Sequence, residues 1–168
     1  MRFAPLAAAA LMVPALLMAQ RGAPQTADKT KATFSTMQAN VAKIAEPAEK
    51  ARWQANVELW DVKLAHPDKV SKPDANRMSA TLKQIRLNIA NVTAPDEKGR
   101  WQANADLWQA LMAMPDKPAA ADLARMHGLL ATITTNVAMI AEPGEKERWM
   151  ANRDLWKATL DKLAKTEP

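Results

Sequence analysis

The stretch EKARWQANVELW (Glu49 to Trp60) returns as EKGRWQANADLW (Glu97 to Trp108) and as EKERWMANRDLW (Glu145 to Trp156), at a step of 48 residues both times. These three copies hold all six tryptophans of the chain. On the same step Asn40, Asn88 and Asn136 coincide, and so do Pro47, Pro95 and Pro143. A period of this length marks a repeat architecture in which a single unit cannot bury its own apolar face. That constraint governs every other reading of the chain.

Each unit reads as two helices. Met78, Leu82, Ile85, Ile89 and Val92 recur at steps of four and three, which makes one apolar stripe. Met126, Leu130, Ile133, Val137 and Ile140 repeat it in the third unit, and Phe34, Met37, Val41 and Ile44 in the first. The punctuation EPAEK, APDEK or EPGEK follows, with proline suited to the first position of a new helix and glutamate to its first turn. The short connection makes the two helices antiparallel neighbours. The expected fold is all-α: three tandem antiparallel helical hairpins, six helices in all. An open, solenoid-like stack is the leading arrangement, because polar TADKTKAT reads as a cap on unit one; a closed bundle is the alternative.

On the Trp-bearing helix, Trp53 and Trp60 lie about 20° apart, so they share one face. Two readings compete for that face. A row of Trp rings could stack sugars or clamp a peptide, but Trp at i and i+7 also fills a wide helix–helix groove. The core reading is preferred, and in a stack the end-unit Trp53 and Trp156 would matter less than Trp101 and Trp108. Asn56, Asn104 and Asn152 lie beside the Trp pairs. They either fix packing register or offer hydrogen bonds to a ligand. Under the register reading, Asn104→Leu should cost within about 1 to 2 kcal/mol. Arg52, Arg100 and Arg148, one turn earlier, are expected to reach free carbonyls of the preceding helix or a nearby carboxylate. These six polar residues are the candidate ligand-binding set. Glu58, Asp106 and Asp154 point away, to solvent.

The tetratricopeptide family places large residues at the same offsets after a Trp as Val57 and Trp60 here. Its period is about 34 residues and it carries a glycine that these units lack, so the chain is not assigned to it.

The chain opens with Met1 and Arg2, then an uncharged apolar run from Leu6 to Ala19. That is the layout of a cleaved secretory signal peptide over residues 1–19. The run is shorter than the roughly 20 residues of a spanning helix and is broken by Pro14, so no stable membrane span is expected after processing. Residues 20–29 read as a flexible lead-in. Residues 30–168 form the repeat domain, with units at about 30–73, 74–121 and 122–168. Export without a single cysteine fits a bacterial periplasm or exterior better than a disulfide-stapled scaffold. Loss of Arg2 lowers the net charge from +5 to +4, with both signs interspersed, so nucleic acid is not an expected partner.

Chemistry is thinly represented. His66 and His127 have no partner at ligand spacing; Met112 to Met114 offers soft ligands of the kind copper takes, but Met37, Met78 and Met126 fall at or beside core stripe positions as ordinary filler, and no copper site is expected. No nucleophile–base arrangement, phosphate loop or haem motif is present, and the repeated acids are not a facing pair. No catalytic residue, metal or cofactor is expected, and the chain is read as not an enzyme. The expectation is an exported protein- or peptide-interaction or scaffold module. The alternatives are a small-ligand or glycan binder using the Trp–Asn–Trp face, and a structural envelope component.

Overall fold

The structure, a computed structural model, describes residues 22–68, 70–115 and 118–165, with side chains from residue 27 onward. The expected signal segment therefore lies outside the described residues. Six helices run in order: α1 (Gly22–Ala42), α2 (Pro47–Ala65), α3 (Lys72–Ile89), α4 (Pro95–Ala113), α5 (Ala120–Ala138) and α6 (Pro143–Ala164). There is no strand among the described residues. α1 begins at Gly22, so most of the expected flexible lead-in is helical.

The helix starts follow local chemistry. Pro47, Pro95 and Pro143 each open an inner helix, where a missing N–H costs nothing. Glu46 caps α2 by accepting from the N–H groups of Ala48 and Glu49, and Glu142 caps α6 through Gly144 and Glu145. α4 departs from the pattern. Exposed Ala94 occupies the same position and supplies no side-chain cap. Ala94→Glu should therefore raise stability by about 0.5 to 1 kcal/mol, read as a higher urea midpoint with an unchanged slope.

At the other terminus of the preceding helices, Lys50 donates to the Ala42 carbonyl at 3.2 Å and Lys146 to the Ala138 carbonyl at 3.5 Å. Lysines, not the repeated arginines, are thus the cations that satisfy those carbonyls.

The hairpins close into a ring; they do not form an open stack. α2, α4 and α6 surround a common axis. Each outer helix lies in the groove between two of them: α3 between α2 and α4, α5 between α4 and α6, and α1 between α6 and α2. The reason is the Trp face. In an open stack one side of it would stay wet, whereas three such faces turned inward cover one another. Every Trp is 1% exposed or less. The inner helices are consequently buried on several sides: α4 hides Ala103, Ala105 and Leu107 as well as its two Trp. Each inner helix also packs more extensively on the outer helix that follows it than on the one before. The compact pair is therefore α2 with α3 and α4 with α5, and α1 completes the pair for α6 from the opposite end of the chain.

Candidate functional site

Equivalent residues of the three units meet at the same level, so the inner helices run parallel and stack their side chains in four layers along the axis. Nearest the helix starts is a ring of ion pairs. Arg52 Nη2 meets Glu97 at 2.8 Å, Arg100 Nη2 meets Glu145 at 2.5 Å, and Arg148 Nη2 meets Glu49 at 2.6 Å. Each Arg reaches into the next unit, and Arg148 closes the circle. The arginine side chains are nearly buried and the glutamates partly so, which makes these pairs far less screened than surface bridges. Three parallel helix dipoles point their positive ends at this level, and the glutamates offset them.

The second layer is Trp53, Trp101 and Trp149, each edge-to-face with both others at centroid distances of 4.9 to 5.0 Å. The guanidinium groups of Arg100 and Arg148 sit over the rings of Trp149 and Trp53, at 5.6 and 5.9 Å. The Nε groups of all three arginines and the indole N–H groups of Trp101 and Trp149 are buried without an oxygen acceptor. The two indoles belong to the aromatic layer, and the guanidinium groups of Arg100 and Arg148 lie against it.

The third layer is the asparagine ring. Asn56 donates to Asn152 at 2.9 Å, Asn152 to Asn104 at 3.0 Å, and Asn104 to Asn56 at 2.9 Å. Each carbonyl takes a second bond from the fourth layer: Trp60 Nε1 donates to Asn152, Trp108 to Asn56 and Trp156 to Asn104. Both acceptor positions of every amide oxygen are thereby filled. The fourth layer repeats the edge-to-face triangle at 4.6 to 4.8 Å.

The six candidate residues thus come together, but in the interior. Asn56, Asn104 and Asn152 are 0% exposed, and their carbonyls are saturated within the protein. The arginines find carboxylates, the second of the two partners expected for them, and those carboxylates belong to neighbouring units. On the sequence Glu49, Glu97 and Glu145 stand as helix-start acids only. Their spacing three before each Arg suggests at most a contact within one helix, and the pairing between units needs the closed topology. Glu58 and Asp106 do face outward, in surface pairs with Arg77 and Arg86.

Above the ion-pair ring lies a polar depression of about 280 Å³, lined by Glu46, Glu49, Glu97, Glu142 and Glu145 with Arg52 and Arg148. Glu46 and Glu142 are held below the ordinary 4.5, first by the backbone N–H groups of Glu49 and Glu145 and then by those of Ala48 and Gly144. Because the folded values are depressed, this stabilisation is complete above the unfolded value and is lost as pH falls through the folded one. Thermal scans against pH should therefore show a steeper loss below about 4.5 for the natural chain than for a Glu46→Gln/Glu142→Gln variant. Among the described residues no group of three His, Asp or Glu side chains is placed to hold a metal ion, and no helix is long and apolar enough to cross a membrane.

Comparison of the chain with protein-family models, curated proteins and solved structures finds no match.

Proposed function

We propose that the chain is an exported, non-enzymatic helical module that engages a protein or peptide partner, or scaffolds an assembly, through its outer surface. One observation carries the reading: the side chains repeated in all three units, Glu, Arg, Trp, Asn and Trp, pack on and pair with one another around the axis. The repeat builds a rigid frame, which leaves recognition to the varied exterior. That exterior is polar. Among the described residues its exposed large apolar side chains are Leu87, Met139 and Met150, and single exposed apolar residues are ordinary on a protein surface. A partner held there is held by polar contacts, so binding should weaken as salt rises.

The small-ligand alternative narrows to the mouth of the ring, where Arg52 and Arg148 border the depression. The glycan version loses its platform, because all six rings are buried.

The test uses the mature chain immobilised and exposed to the exported fraction of its own host. A protein retained at low salt and released at high salt, with cross-links to outer-helix lysines, supports the proposal. Retention of no protein, together with a small molecule that raises the melting temperature, overturns it. Intact mass of the exported form should lack roughly the first 19 residues, and full-length chain in the membrane pellet would count against export with cleavage.

A further inference from the structure

α3 and α5 are tied by short connections at both ends to the inner helices that flank them. α1 is tied only to α2, through Lys43–Glu46, and reaches α6 by non-covalent contacts alone. Among the described residues it also buries the fewest apolar side chains of the three outer helices. The stripe of α5 with its exit buries Leu123, Met126, Leu130, Ile133, Val137 and Ile140; α1 with its exit buries Met37, Val41 and Ile44, with Phe34 only partly covered. On the 48-residue step, Thr30 stands where α3 and α5 have Met78 and Met126. The α1–α2 seam holds a cleft of about 230 Å³ between Gln38, Val41, Ala42, Gln54 and Val57. Against α6, by contrast, α1 packs more extensively and carries its own latch, Asn40 Nδ2 donating to Glu147 at 3.0 Å. Ala51 and Gly99 occupy the positions equivalent to Glu147, so this latch belongs to the α6 groove alone.

We propose that α1 is an exchangeable strap, and that α1 of one chain seats in the α6/α2 groove of a second copy to give a reciprocal, domain-swapped dimer. The occupant is fixed by the groove itself, which is shaped and latched for this helix. Every contact made by α1 with α6 is regained in the swapped form, and only the four-residue connection before Pro47 changes course. Exchange of an identical element between copies is a low-cost route to a dimer, and the balance between closed monomer and dimer is set by chain concentration during folding. The inference is independent of any other partner, because it concerns only copies of this chain.

The experiment exploits the absence of cysteine. Asn40→Cys and Glu147→Cys chains, each with a single thiol, are mixed, unfolded, refolded together at high concentration and treated with a short bis-maleimide. A closed monomer carries only one of the two thiols and cannot bridge them. A swapped pair seats the Cys-bearing α1 of one chain against the Cys-bearing α6 of the other and yields a covalent heterodimer. Lys83→Cys on α3 replaces Glu147→Cys as the control. For the unsubstituted chain, light scattering should show a dimer fraction that grows with refolding concentration and survives dilution. Equal cross-linking in the control, no heterodimer at any concentration, or a dimer that dissociates at once on dilution overturns the proposal.

Discussion

Replacing Trp101 or Trp108 by alanine should each cost about 3 to 5 kcal/mol, the range for truncating a fully buried large aromatic. Each ring touches two others edge-to-face, and such pairs add roughly 0.5 to 1.5 kcal/mol beyond burial. A loss of this size is a large share of a domain's total stability, so the double substitution is expected not to fold. In an open stack the terminal Trp53 and Trp156 would be cheaper to lose. Closure removes that difference: Trp53 contacts Trp101 and Trp149, and Trp156 contacts Trp60 and Trp108. Trp53→Ala and Trp156→Ala should therefore fall in the same range as the central pair. Denaturant midpoints check this, with a blue-shifted emission poorly quenched by iodide in the folded state. Costs below about 0.5 kcal/mol with ready quenching would place the rings at the surface.

Asn104→Leu is the second large effect. The substitution strips an acceptor from both Asn152 Nδ2 and Trp156 Nε1, and a donor from Asn56. Two buried donors left unpaired should cost about 2 to 5 kcal/mol, above the 1 to 2 expected for one hydrogen-bonded register residue. Adding Asn152→Leu removes one of the orphaned donors together with its amide. The pair should then cost less than the sum of the singles, a coupling readable in a double-mutant cycle. Strict additivity would show that the three amides do not act as one ring.

The helices, the proline starts and the burial of the Trp faces were all legible in the spacing of residues, because these depend on periods within one unit. Closure was not. The Met78-to-Val92 and Met126-to-Ile140 stripes look the same whether an outer helix touches one neighbouring unit or seals a ring. The polar TADKTKAT stretch, which reads as the cap of an open stack, instead belongs to α1, which is thinly covered over 27–33. The partners of Arg52, Arg100 and Arg148 were hidden for the same reason: each lies 45 or 99 residues away, in the next unit around the axis. The spacing of Asn56, Asn104 and Asn152 suits register residues and ligand contacts alike, and only their meeting at one level shows that they bond to each other and to the indoles.

The two polar rings circulate in opposite senses. Arginines donate forward, from unit one to two, two to three and three to one, whereas amides and indoles donate backward. A circuit of this kind has an integer built into it. Solenoids lengthen by one unit at a time because each added unit needs only a neighbour. Here a fourth 48-residue copy would find no vacancy in either circuit: it would have to force three-sided triangles into squares, pulling apart the indole edges and stretching every amide link. Duplication or loss of a single unit should therefore be lethal to the fold, which confines lasting variation in this chain to its outward-facing positions and to its connecting segments.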